Sequence, residues 1–152
     1  MNISLDLLKK LRQESSAGVS DCRLALEDAK GDYEAAKKLL RERGLEKAAK
    51  KEGKETSQGI ITSYVHATGR VGVLVELRCE TDFVARTDDF KHLAHEIALQ
   101  IAAMKPKDVK GLLASEYIRD SSFTIGALIK QTVAKVGENI TVARFTRMEL
   151  GE

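Results

Sequence analysis

Proline is almost missing from this chain of 152 residues: Pro106 stands alone against eleven glycines. Long helices and strands, broken by glycine rather than by proline, are the expected result. Cysteine is scarce as well. Two residues, Cys22 and Cys79, cannot staple a small secreted scaffold, which points to a reducing, cytoplasmic setting. Tryptophan is absent, and three Tyr with four Phe leave few rings for stacking on single-stranded nucleic acid. No apolar run approaches the roughly 20 residues that a membrane-spanning helix requires. The first residues, MNISLDLLKKLRQE, are amphipathic instead of a basic stub followed by an apolar core, so no secretory signal is expected. An excess of one charge is lacking too: 25 Lys+Arg against 23 Asp+Glu leave +2. Neither a polyanion binder nor an acidic tail has that balance.

What is present divides into two parts of different hydrophobic period. Ile3, Leu7 and Leu11 recur at helical spacing and predict a short amphipathic helix. A break is expected over Ser15-Ser16-Ala17-Gly18, with Ser20 as the N-cap of a second helix and Asp21 in its first turn. Cys22, Ala25, Leu26 and Ala29 share its apolar face. Gly31 stops it, and Asp32 caps a third helix with Tyr33, Ala36, Leu39 and Leu40 inside. That helix is expected to end at Gly44, closing a three-helix module over residues 1–44. Residues 45–58, LEKAAKKEGKETSQ, read as a basic linker, helical at most in its first half.

From Gly59 onward the period becomes two. Ile60, Thr62 and Tyr64 alternate with Ile61, Ser63 and Val65; after the turn Ala67–Arg70, Val71, Val73, Val75, Leu77 and Cys79 line one face of a second strand. Phe90, Leu93, Ala94, Ile97, Ile101 and Met104 then form the strongest helical stripe in the chain, with Thr87 as cap and Pro106 beyond its end. A further helix is expected near 124–136, stopping at Gly137. A last strand near 140–150 slips register between Val142 and Phe145, the sign of a bulge. Residues 59–152 therefore predict an α+β core: a small antiparallel three-stranded sheet packed with helices.

The search for catalytic groups returns little. His92, His95 and Glu96 lie close on the long helix, but no further ligand has metal-binding spacing, and a solvated helix face is the plainer reading. Cys79 with His66 could suggest a nucleophile pair, yet the strand pattern turns Cys79 toward the apolar face. No glycine-rich phosphate loop precedes a helix. The lysines of the linker could touch phosphates, which keeps a nucleic-acid-binding module as the rival of a protein-binding one. The expectation is a non-enzyme without cofactor or metal. One segment resists a bland reading: Glu80-Thr81-Asp82-Phe83-Val84-Ala85-Arg86-Thr87 sets a Phe in a short polar loop. Such a ring is either a core plug, the commoner fate of an isolated aromatic, or a wedge for a partner's pocket.

Three blocks, in order, resemble the bacterial elongation factor Ts family. They are Ala17–Leu26 followed by Gly31-Asp32, then Cys79–Arg86, the most specific, and finally Gly137–Ile140 with Arg144-Phe145 through Gly151. The resemblance spans nearly the whole chain and implies nucleotide exchange on elongation factor Tu, a GTPase. It implies that Thr81, Asp82, Phe83 and Val84 form the wedge that disturbs the partner's magnesium site. It also implies that residues 1–44 fold like a ubiquitin-associated domain and dock on the GTPase domain through Val19, Ser20, Asp21, Cys22 and Arg23. Neither direct nucleic-acid binding nor a membrane is expected. Ser15-Ser16 stands where the family has Thr-Gly, and Arg23 where Lys is common. Residues 105–120 replace a longer helical stretch, leaving a single, shortened core domain of the dimerisation type. With one small sheet, two chains are expected to associate as a homodimer.

Overall fold

The computed structural model describes residues 2–15 and 17–152. Helix α1 (Leu5–Ser15), α2 (Val19–Asp28) and α3 (Tyr33–Lys51) open the chain and pack on one another. The spacing of apolar residues dictates the packing: Leu11, Cys22, Ala25, Leu26 and Ala36 are buried, with Ile3, Leu7, Tyr33, Leu39 and Leu40 closing over them. Asp32 caps α3 as its sequence position predicts, accepting from the Ala35 N–H at 3.0 Å.

Three expectations for this region need correction. Ser15 remains within α1, its hydroxyl donating to the Leu11 carbonyl at 2.6 Å, while Ser16 lies outside the described residues. The N-cap of α2 is Gly18 rather than Ser20, and no side chain bonds there. Gly44 does not end α3. The helix runs through it to Lys51, because α3 lies close against α7 (Ile125–Val136) at this point. A Cβ at Gly44 would sit 3.7 Å from that of Ala134. The first half of the expected linker is therefore helix, and its Ala48 belongs to the larger core.

That larger core lies between a sheet and its helices. Strands β1 (Gln58–Val65), β2 (Val71–Cys79) and β5 (Ile140–Glu149) form an antiparallel sheet with β2 in the middle. Val73, Val75, Leu77 and Cys79 point inward, as their alternation predicts, and meet Phe90, Leu93, Ala94, Ile97 and Ile101 of α5 (Asp88–Met104). The bulge falls where expected: Glu76 faces Arg144 and Leu77 faces Val142, so Ala143 is extra. Thr87 and Thr124 cap α5 and α7, and Gly137, left-handed at φ 77°, ends α7. Lys105, at φ 53°, ends α5 just before Pro106, and Met104 is exposed instead of closing the stripe.

Four elements had no clear sequence signal. They are α4 (Asp82–Ala85), α6 (Val109–Ala114) and the hairpin of β3 (Glu116–Tyr117) with β4 (Asp120–Thr124). Residues 105–120 are thus short but structured. Polar bonds fasten the hairpin to α5. Glu96, 3% exposed, accepts from the Tyr117 hydroxyl and from Arg119 Nε, each at 2.6 Å. Gln100 donates to the Glu116 carbonyl at 2.7 Å and accepts from the Ile118 N–H at 3.0 Å. Glu96 therefore does not belong to a solvated helix face; it is the buried anchor of this hairpin. The fold is α+β, with seven helices among the described residues and a three-stranded antiparallel sheet.

Candidate functional site

The segment following β2 is one turn of helix, not an open loop. Thr81, extended at φ −124°, is its N-cap, and its hydroxyl oxygen accepts from the Val84 N–H at 3.4 Å. Ala85 is buried, and the half-buried Val84 packs on the main core. Thr87 closes the far side, its hydroxyl donating to the Val84 carbonyl at 2.7 Å and its oxygen accepting from the Phe90 N–H at 3.2 Å. With Val84 and Ala85 turned inward, geometry turns the preceding residue outward. Phe83 is 76% exposed. The core-plug reading is excluded, since a plug would be covered.

Asp82 pairs with Arg86 one turn later, both exposed, in the i,i+4 relation that a single turn permits. Its carboxylate faces solvent at the N-terminal end of the turn. Beneath lies a pair of ties that sequence reasoning missed. Glu138 accepts the Thr81 N–H at 2.9 Å and the Thr81 hydroxyl at 2.7 Å. In return Glu80 accepts the Asn139 N–H at 2.8 Å. The only signal in the sequence is that both glutamates fall within the two blocks of family resemblance. Nothing in periodicity brings residues so far apart together.

The Cys79 thiol is inert. It is fully buried and donates to the Thr81 carbonyl at 3.0 Å. Burial, reinforced by the negative charge of Glu138, pushes its pKa up, which disfavours the reactive thiolate. Cys79 is opposite Gln58 at one end of the β1–β2 hairpin, while the His66 N–H bonds Val71 at the other. The two cannot form a nucleophile pair. Among the described residues, no group of three His, Cys, Asp or Glu side chains is arranged to hold a metal. A cleft of about 750 Å³ between α3 and α7 has mixed charge, and its Lys37 and Lys47 are engaged by Glu14 and Asp21. No helix among the described residues is long and apolar enough to cross a membrane.

The second group of predicted residues occupies the first turn and a half of α2. Val19, Ser20 and Arg23 are exposed, and Arg23 pairs with Glu27 at 3.0 Å. Asp21 is half-buried and accepts from Lys47 at 2.9 Å, which ties α2 to the C-terminal part of α3. Cys22 is different. It is completely buried, its sulfur lying 3.8 Å from the Ala17 carbonyl and 3.6 Å from Ser15 Oγ. It shapes the packing of α1, α2 and α3 from within and is not available to a partner. Val84 packs on one cluster of buried side chains and Cys22 belongs to another.

Comparison with known proteins matches these features to a family. The family model described as Elongation factor TS matches residues 80–152, which hold both halves of the Thr81–Glu138 tie. The protein named Elongation factor Ts from Coprothermobacter proteolyticus is 45% identical, with all of both chains covered. Its namesake from Fervidobacterium nodosum is 43% identical, again over the whole of both chains. That from Thermotoga maritima is 44% identical, covering all of this chain and 98% of its own. These alignments run over 195 to 197 positions against the 152 residues of this chain, so the relatives carry residues with no counterpart in it. With whole-chain identity at this level and the exposed Phe83 turn inside the region that the family model matches, this chain belongs to the elongation factor Ts family.

Proposed function

We propose that this chain is a translation elongation factor that exchanges guanine nucleotides on elongation factor Tu, with Phe83 as the wedge. One observation carries the proposal: a phenylalanine 76% exposed on a helical turn whose two ends are tied to the core. An aromatic presented in this way has little to gain in the free protein and much to gain in a partner's apolar pocket. Membership of the family supports the choice of partner.

The physical logic needs no catalytic residue and no cofactor. A GTPase holds GDP through backbone amides and through Mg²⁺, whose octahedral shell tolerates little distortion. Phe83 entering between packed elements of the GTPase domain shifts them, and Asp82 brings a carboxylate close to the same region. Once the cation is displaced, phosphate charge is poorly compensated and GDP departs. Linkage makes the effect reciprocal: the factor weakens GDP by the coupling free energy with which GDP weakens the factor. A coupling of about 5.5 kcal/mol suffices to carry an equilibrium from 1:99 to 99:1. GTP then rebinds and displaces the factor.

The same reading divides the chain into a head over residues 1–44, a basic segment over 45–58 and a core over 59–152, with α3 as a helical joint. The head is taken to be of the ubiquitin-associated type, docking through Val19, Ser20 and Arg23. The site of action is the cytoplasm, without direct contact to nucleic acid. A second copy of the chain is proposed to cover the outer face of the sheet, where Ile61, Val65, Leu74 and Met148 are exposed.

The test is release of labelled GDP from elongation factor Tu, with and without this protein. Wild type is expected to accelerate release, and Phe83→Ala to abolish most of the acceleration. Equal acceleration by both would sink the wedge, and none by wild type would sink the exchange function itself.

A further inference from the structure

Four residues of helix, Asp82–Ala85, cannot hold themselves in place. Nucleating a turn fixes several dihedrals for one hydrogen bond, so an isolated turn melts. Whatever fixes Phe83 must come from outside. Two ties are local, namely the burial of Val84 and Ala85 and the Thr87 hydroxyl on the Val84 carbonyl. A third reaches across 57 residues of sequence, where both donors of the N-cap Thr81, its N–H and its hydroxyl, bond the two carboxylate oxygens of Glu138. Hydrogen bonds to an ionised acceptor are about twice as strong as neutral ones, and two to one carboxylate fix orientation as well as distance.

Glu138 is itself held on both sides. Gly137 ends α7 in a left-handed conformation and gives its N–H to Val133 at 2.9 Å. On the other side, the Asn139 N–H donates to Glu80 at 2.8 Å, and the Asn139 side chain donates to the Lys54 carbonyl at 2.8 Å. Glu80 and Glu138 thus each bond the backbone of the other's neighbour. This reciprocal clasp seats the wedge turn on the junction between α7 and β5 and not on the end of β2 alone.

We infer that Glu138 is the positioning residue for Phe83, acting through Thr81 to keep the wedge in one orientation. Its consequence rests on the exchange function proposed above, but its structural half is measurable without a partner. A ring fixed before binding loses less freedom when it enters a pocket. Misplacement by about 1 Å is enough to cost on the order of 100-fold in a geometry-dependent step.

The experiment uses the full chain with Glu138→Ala, Glu138→Gln, Phe83→Ala and the Phe83→Ala/Glu138→Ala double variant. Two quantities are read: amide hydrogen exchange over residues 81–86 in the free protein, and acceleration of GDP release from elongation factor Tu. Glu138→Ala is expected to speed exchange of the turn amides, without equal loss of protection in β2 and α5, and to reduce acceleration roughly tenfold or more. Glu138→Gln, which can still accept the N–H and meet the hydroxyl, is expected to restore most of both. Adding Glu138→Ala to Phe83→Ala is expected to cost nothing further, because a residue that acts through Phe83 has nothing left to position. A turn as protected in Glu138→Ala as in wild type, or additive losses in the double variant, overturns the inference. Should Glu138→Ala unfold the whole core, Glu138→Asp, which draws the carboxylate back by one methylene and leaves the Thr81 cap on the Val84 N–H intact, takes its place under the same criteria. Absence of acceleration by wild type would defeat the exchange function instead; the hydrogen-exchange comparison then decides the structural half alone.

Discussion

Glu96 carries a carboxylate into the packed face of α5, where burial alone would force it toward the neutral form. Burial raises its pKa, but the hydrogen bonds from Arg119 and Tyr117, with the Arg119 charge, outweigh that, and the net pKa lies below the ordinary carboxylate value. The same contacts work the other way on Tyr117, whose pKa burial and the Glu96 bond push up to about 12. A depressed carboxylate pKa means that the unfolded chain binds the proton more tightly. The stabilising effect is therefore complete above the ordinary value of 4.5 and is lost as pH falls through the folded pKa. Urea titrations between pH 7 and pH 3 are expected to show this loss in wild type and a shallower one in Glu96→Gln, measured as the slope of stability against pH. Glu96→Ala, which strands the buried Tyr117 hydroxyl, is expected to cost about 2–3 kcal/mol at pH 7. None of this was legible from the sequence. A Glu at that position of an amphipathic helix reads as solvated until the β3–β4 hairpin, itself without a sequence signal, folds over it.

At the scale of elements, hydrophobic period revealed most of the sheet and the long helix, because burial there follows directly from alternation or stripe. Val73, Val75, Leu77 and Cys79 needed only their spacing. Stop signals served less well. A glycine ends a helix when nothing else holds the backbone, as at Gly137, but Gly44 is held by α7 lying alongside α3. The two glycines most unlike each other give a paired prediction. Gly44→Ala adds a methyl 3.7 Å from Ala134 Cβ, an ordinary contact, and replaces the poorest non-proline helix former by the best. It is expected to stabilise by about 0.5–1 kcal/mol, or about 1–4 °C in thermal melting. Gly59→Ala is the opposite case. Its Cβ would fall 2.1 Å from the Leu77 carbonyl oxygen, so β1 would have to leave β2 locally, at a cost of about 3 kcal/mol or more. Circular dichroism melts of both variants check the pair; destabilisation by Gly44→Ala would mean that α3 and α7 approach more closely than an alanine permits. The α4 turn was readable as a special segment but not as a helix, since four residues carry no period.

For the molecule as a whole, the sheet has one face too many. Its inner face meets α5, whereas its outer face carries Ile61, Val65, Leu74 and Met148 in adjacent register: Val65 opposite Gly72 opposite Met148, with Leu74 two pairs along, next on the same face. Strand rise and spacing make a three-stranded face of about 30 Å by 14 Å, roughly 400 Å². That whole face, which also carries Ser63, Thr146, Glu76 and Arg144, is about half of what each partner buries in a standard interface. Two such faces stacked on each other would therefore make a weak dimer, not an obligate one. Charge weakens it further: Glu76, at the far end of the patch, accepts from Arg78 at 2.6 Å and from Arg144 at 3.3 Å, so two cations share one carboxylate and that end of the face keeps a positive charge in excess. Sedimentation equilibrium from about 1 to about 200 μM is expected to show a mass rising from 16.7 kDa toward twice that value. Leu74→Lys places a charge in the middle of the proposed contact, away from Phe83 and the clasp at Glu138. It is expected to hold the protein at the single-chain mass while leaving acceleration of GDP release at the wild-type level. A wild-type protein that stays at 16.7 kDa over the whole range would remove the second copy from the picture, and would leave the exposed apolar face without an occupant.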